Sequence, residues 1–347
     1  MPRRAICAVV AALLPVLGGC FRTEPYASSQ NVTMLKRVHV NSLAATSRGA
    51  WYFDSAVRSE GLTYGFITNG GRVTQRSFRL ASDEPMIPYQ GWGNHIQPIG
   101  PDAAFMAVVN VATYPHEDAI VRVSLAGRPP VLVASHDLPD FGGLALVNGR
   151  LFIGLASRAL GELRGGRFAM HVLRNDRDAP WNTSIVVAGT RGRVYASDGQ
   201  TNRFGIFDTA RQTWRFLRFQ DRGSFAPIAP GLGDEVWLYS LDERRLVLAD
   251  LLTGKTVMEL TFPQAESLAP VGDGGVCAAS GEGPQTLCVT RSGNLRTYDL
   301  DPPKLGAFVA ANGGPLWYAI NDLKAPIWSF GDSDWGSAVG RIQLGRK

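Results

Sequence analysis

The stretch Arg193-Val-Tyr-Ala-Ser-Asp-Gly-Gln-Thr-Asn-Arg-Phe-Gly-Ile-Phe-Asp208 decides the fold of this chain. It holds two short β segments, 193–197 and 204–207, on either side of a polar turn that contains Asp-Gly and Asn. An apolar run at 183–188 precedes it, and Thr213-Trp-Arg-Phe216 follows. Strands of four to six residues separated by Gly, Asp and Asn turns make one four-stranded antiparallel sheet. The next stretch repeats the plan, with β segments at 236–239, 245–249 and 257–260 and the turn Asp250-Leu-Leu-Thr-Gly-Lys255 between the last two.

Outward from that unit, a Gly-containing turn followed by a strand with an aromatic near its start recurs along the chain. It reads as Gly49-Ala-Trp51-Tyr52, Gly149-Arg-Leu-Phe152, Gly192-Arg-Val-Tyr195, Gly233-Asp-Glu-Val-Trp237, Gly275-Val-Cys277 and Gly314-Pro-Leu-Trp317. Gly100-Pro-Asp-Ala-Ala-Phe105 is a weaker copy. Positions 52, 105, 152, 195, 237, 277 and 317 are spaced by intervals that shorten from 53 to 40 residues. A period near 40 to 45 with four short strands per unit is that of propeller blades. One such sheet cannot cover both its faces, whereas seven in a ring cover one another and leave only short edges. The expectation is an all-β, seven-bladed β-propeller of four-stranded antiparallel blades over residues 32–347, with six or eight blades as alternative counts. The 39 Gly and 21 Pro suit so many tight turns, and no amphipathic helix of ordinary length interrupts them.

The unit 193–208 resembles a repeat of the streptogramin-lyase-like and NHL-type propellers, whose units run as a Gly, an aromatic strand, Asn-Arg-Ile-Gly and an Asp before the outer strand. Asp250-Leu-Leu-Thr-Gly254 is similar to the Asp-x-x-Thr-Gly turn of many propellers, quinoprotein-like ones included. The good matches cover two blades. For the lyases the resemblance implies an active site of two His and a Glu late in the ring, with a divalent metal. Here the histidines are His39, His95, His116, His136 and His171, so the resemblance stops where that chemistry would sit. There is no zincin-type His pair, no Gly-x-Ser-x-Gly elbow and no phosphate-cradling loop. Asn175-Asp-Arg-Asp178 and Asp332-Ser-Asp334 alternate carboxylates as calcium loops do, but neither continues into a complete loop, and both read as turns. No catalytic residue, metal or cofactor is expected.

The N-terminus sets the address. Met1-Pro2-Arg3-Arg4 is a positive head, and the 13 apolar residues from Ala5 to Leu17 are too few for a membrane-spanning helix but suit a secretory signal. Leu17-Gly18-Gly19-Cys20 resembles a bacterial lipobox, in which cleavage precedes the Cys and the Cys is acylated. The other reading is an ordinary secretory signal with an incidental Cys. On the lipobox reading, residues 1–19 are the signal and 20–31 a lipidated Cys20 with a flexible tether; a multiply acylated Cys anchors stably where one chain does not. Phe21 stands where an Asp would resemble an inner-membrane retention signal, so the periplasmic side of the outer membrane is the expected destination. The formal charge of +5 is spread along the chain without a basic stripe, so no nucleic-acid partner is expected.

With Cys7 in the leader and Cys20 lipidated, Cys277 and Cys288 remain, symmetric about the turn Gly281-Glu-Gly-Pro284. In a hairpin of that register they face each other, and a structural disulfide is expected in an oxidising compartment. Loops entering the inner strands crowd one mouth of a propeller channel, and function is usually grafted onto such loops. Aligning the inner strands puts Asn94, His95, Phe141, Trp181, Asn182, Phe225 and Glu266 there. Aromatics with amide and charged neighbours are typical of binding surfaces, although Trp181 and Phe225 could equally plug between blades. Two function classes stay open. One is an envelope lipoprotein acting as a binding or scaffold platform for a protein or small ligand. The other is a periplasmic propeller enzyme or cofactor-binding protein acting on a sugar, lactone or peptide.

Overall fold

The computed structural model describes residues 24–25, 30–36, 38–54, 61–78, 86–88, 95–100, 102–110, 117–136, 141–155, 159–172, 185–197, 203–219, 225–262, 265–280, 285–300, 306–321 and 336–344. Seven antiparallel sheets follow one another along the chain. We number them as blades 1 (residues 40–78), 2 (86–136), 3 (141–172), 4 (185–218), 5 (225–261), 6 (265–299) and 7 (306–342). Each of the positions 52, 105, 152, 195, 237, 277 and 317 lies in the second strand of its blade, so the sequence period marks the blades one for one. The blade count is seven.

The core is divided into seven apolar clusters, each shared by two adjacent blades. Trp51, Tyr64 and Phe66 of blade 1 pack on Ile96, Met106 and Val108 of blade 2. Phe204 and Ile206 of blade 4 pack on Ile228 and Leu238 of blade 5. The ring closes where Tyr52 and Ile67 of blade 1 meet Trp317 and Val339 of blade 7. A β-sheet buries its faces only against another layer. Here every blade is the layer for both its neighbours.

The turns follow from local chemistry. Blade 3 passes from Phe141–Val147 to Arg150–Leu155 through Asn148-Gly149, both at positive φ (52° and 76°). Asn-Gly is the preferred pair for a two-residue hairpin whose twist matches the strands. In blades 4 and 5 the third strand ends at Asp208 and Asp250. Their Oδ1 atoms accept amide N–H bonds from Ala210 and Arg211, and from Leu252 and Thr253. These are Asx turns, the reason Asp favours such positions.

Two features depart from the expected plan. Blade 2 makes its inner strand in two pieces, Met86–Pro88 and Ile96–Pro98, both paired with Ala103–Asn110. Its first interval is long because residues are inserted between those pieces. The second departure concerns the segment 20–31, read as a slack tether. Glu24–Pro25 instead runs parallel to Leu295–Asp299 as a fifth strand on blade 6. Gln30 begins Gln30–Lys36, the outer strand of blade 7, antiparallel to Gly336–Ile342. The outer edge of a blade presents unpaired N–H and C=O groups, and a polar segment passing beside it satisfies them.

Cys277 and Cys288 are opposite each other in the second and third strands of blade 6 and form the disulfide that the hairpin register predicts.

Candidate functional site

The inner strand of each blade starts at the end of the ring where the chain arrives from the preceding blade. Five of the seven inner strands lose register at this end. The irregularities fall at Asn41, at Gly142 and Gly143, at Ala226 and Pro227, at Glu266 and at Ala307. A bulge inserts a residue that the neighbouring strand does not pair and bends the strand that carries it. Repeated around the ring, it reshapes one mouth of the channel, while the inner strands stay in register toward the opposite end.

The structure brings four of the sequence-derived residues to this mouth. His95 directly precedes Ile96–Pro98, Phe141 and Phe225 are first residues of the inner strands of blades 3 and 5, and Glu266 is the bulged residue of blade 6. Asn94, Trp181 and Asn182 lie outside the described residues, as do Asn175-Asp-Arg-Asp178 and Asp332-Ser-Asp334.

The roles of His95 and Phe225 are fixed by burial. His95 is buried; its amide donates to Ser42 Oγ of blade 1 (3.3 Å) and its carbonyl accepts from Ala107 N–H (3.0 Å). Phe225, 1% exposed, packs edge-on against Phe219 with ring centroids 5.5 Å apart. Its carbonyl accepts from Ser197 Oγ of blade 4 (2.7 Å). Both residues therefore stitch adjacent blades, the second of the two readings offered for Phe225. A ring with no accessible surface offers a partner nothing.

One group at this mouth was not singled out by sequence. Asp54, fully buried at the end of the second strand of blade 1, accepts the His39 amide N–H at 2.9 Å. Burial, and secondarily the charge of Asp54, pushes the Tyr52 phenol upward, while burial lowers the His39 imidazole. Asp54 ends an otherwise apolar strand, a signal that an isolated strand reading treats as a turn.

A second polar cluster lies toward the opposite end, between blades 3 and 4. Glu162 is buried and accepts two bonds each from Arg150 and Arg164 (2.7–2.8 Å), with His171 Nε2 at 2.8 Å. Arg150 also donates to the Thr209 carbonyl of blade 4 (2.7 Å). Burial would raise the Glu162 carboxyl, but these bonds outweigh it and hold it well below the usual carboxylate range. Such a saturated carboxylate locks two blades together and has no lone pair left for proton transfer. Among the described residues no cluster of three or more His, Cys, Asp and Glu could hold a metal ion. No helix among them is long and apolar enough to cross a membrane.

The ring and its bulged mouth define a seven-bladed propeller resembling streptogramin-lyase-like proteins. No protein-family model and no curated protein matches the sequence. Among solved structures the chain is similar to a catalytically inactive virginiamycin B lyase from Staphylococcus aureus with quinupristin, at 12% identity over 91% of this chain and 100% of that one, TM-score 0.65. It is similar to a streptogramin B lyase at 10% identity over 90% and 98% of the two chains, TM-score 0.63. It is also similar to YCF48 bound to D1 peptide, at 12% identity over 94% and 100%, TM-score 0.64. Likeness at these identities establishes the fold.

Proposed function

We propose that this chain is a membrane-anchored envelope lipoprotein whose propeller is a binding platform for a protein or small ligand. The observation that carries the reading is the asymmetry of the ring. Bulges reshape one mouth in five of seven blades, and that mouth is where every inner strand begins. Recognition residues are commonly carried on connections held by a rigid scaffold, and bulges re-aim side chains next to such sites. Glu266 belongs to this surface, with Trp181 and Asn182 assigned to it from the sequence. YCF48, a propeller of similar fold, has D1 peptide bound, which supports a peptide or protein as ligand class. The lipobox at Leu17-Gly18-Gly19-Cys20 supports acylation of Cys20, with the ring held on the periplasmic side of the outer membrane.

A photocrosslinking residue placed in living cells at position 266 or 181 is expected to trap a partner. The same residue at position 211, at the opposite end, is expected to trap no protein. Equal protein adducts from both ends, or none at 266 and 181, would overturn the platform reading. Radiolabelled palmitate is expected in the wild type and absent from Cys20→Ala; label retained in that variant would remove the anchor.

A further inference from the structure

The end of the ring opposite the bulged mouth carries the turns between third and outer strands, and each of the six such turns in blades 1–6 has a cation in or beside it. Blades 1 to 5 contribute Arg72, Arg128, Arg167, Arg211 and Lys255, all exposed. None of the five has an acidic partner among the described residues. Blade 6 adds Arg291, bonded to Glu235 of blade 5. Among the described carboxylates at this end, Glu162, Asp102, Asp234 and Glu235 are paired with arginines, Asp208 and Asp250 accept amides of their own turns while keeping their charge, and Asp273 is exposed without an arginine partner. The turns 69–72, 125–130, 165–166, 209–212, 251–255 and 290–294 contain no Asp or Glu. A scattered charge in sequence thus becomes a basic rim in the fold.

Glu24 lies at the same end: it pairs with Arg296 in a parallel bridge, and Arg296 follows the turn 290–294. Four residue steps separate Glu24 from Cys20, a reach of at most about 14 Å against about 40 Å for a slack segment of twelve. Blade 5, next to blade 6, also leaves Leu232 and Leu252 exposed in its turns at this end.

We infer that the basic rim is a docking surface for an anionic lipid bilayer. The ring lies rim-down on the headgroups, Leu232 and Leu252 face the interface, and the bulged mouth points away from the membrane. Cations held within a Debye length of a negative lipid surface, about 8 Å at physiological salt, are attracted to it. A reach of at most about 14 Å holds the rim within about two Debye lengths of the headgroups, where part of that attraction remains. The inference takes from the proposed function only the anchor at Cys20, and adds which face the anchor presents.

The test uses the mature chain from position 20 with Cys20→Ser, which lacks both the apolar signal and an acyl group, in sedimentation with vesicles of phosphatidylcholine alone or mixed with phosphatidylglycerol. Binding is expected to the mixed vesicles at low salt, and to be lost in high salt and on phosphatidylcholine alone. Combining Arg128→Glu, Arg167→Glu and Lys255→Glu is expected to lower the partition coefficient by more than about a hundredfold, at roughly fivefold per cation removed. Arg218→Glu, on the outer strand of blade 4 at the mouth end, is expected to change it less than about twofold, since exposed charges beyond a Debye length are screened. Thermal melts of each variant confirm folding. Triple-variant binding equal to that of the parent chain, or an equal loss from Arg218→Glu, would overturn the inference. Because this chain carries no lipid, failure here is separate from failure of palmitate labelling in the wild type, which bears on the anchor alone.

Discussion

Glu162 gathers hydrogen bonds from two arginines and a histidine in a dry seam. Its carboxylate is 2% exposed, while Arg150 and Arg164 keep 30% and 48% of their side-chain surface in water. Removing one partner of a fully buried pair costs about 3–5 kcal/mol. With half-wet arginines able to rehydrate, Glu162→Gln is expected to cost about 2 kcal/mol in urea unfolding. The pH dependence has a fixed sign. The folded carboxyl is held below its unfolded value of 4.5, so its contribution is complete above that value and fades as pH falls through the folded value. The gap between wild type and Glu162→Gln is therefore expected to narrow from pH 7 to pH 3; a gap that widens would refute the assignment. Cys277–Cys288 acts on the unfolded chain instead. Closing a loop of sequence separation 11 should stabilise by about 2–3 kcal/mol on the chain-entropy model, read as the shift in urea midpoint on reduction.

At the scale of the element, glycines make room for tyrosine rings that lie across the neighbouring strand. Gly65 lies beneath the Tyr52 ring and Gly340 beneath Tyr318, each on the neighbouring strand of its blade. A Cβ at either glycine would overlap the phenol ring. Gly340→Ala is expected to destabilise by about 1–3 kcal/mol through overpacking, measured by thermal melt, while Gly149→Ser in an open turn acts only through its positive φ. This scale also separates what was legible in the sequence from what was not. Strands 193–197 and 245–249 are bounded by Gly and Asp whose turn chemistry is local, so their positions follow from residues nearby. The fifth strand at Glu24–Pro25 and the closing strand Gln30–Lys36 pair with partners some 270 and 310 residues away, and no local pattern encodes that. His95 and Phe225 show the same limit at the site. An aromatic at the start of an inner strand looks identical in sequence whether it faces a ligand or fills the seam between blades, and the packing of Phe219 decides it.

Among the described residues the ring closes inside blade 7, where Gln30–Lys36 pairs with Gly336–Ile342. Leu35 of the N-terminal strand shares a cluster with Trp317 and Val339 of that blade and with Tyr52 of blade 1. Ser337 Oγ donates to Val38 O (2.8 Å) and accepts from Val40 N–H (3.1 Å), pinning blade 7 to the entry of blade 1. Deleting residues 30–36 is expected to abolish the single cooperative calorimetric transition and expose the edge of Gly336–Ile342. A single transition with an unchanged midpoint would show that the seam contributes little.

That seam also dictates a timetable. The strand Gln30–Lys36 is made about 300 residues before its mate Gly336–Ile342. At about 5–20 residues per second, the roughly 300 intervening residues take on the order of 15–60 s. For that interval the newborn chain has a β edge with no mate, at the point in its life when such edges invite wrong pairing. Synthesis makes the outer strand of the final blade long before the other three. The exposed edge is thus the place where a chaperone is most needed, until Gly336–Ile342 emerges to cover it.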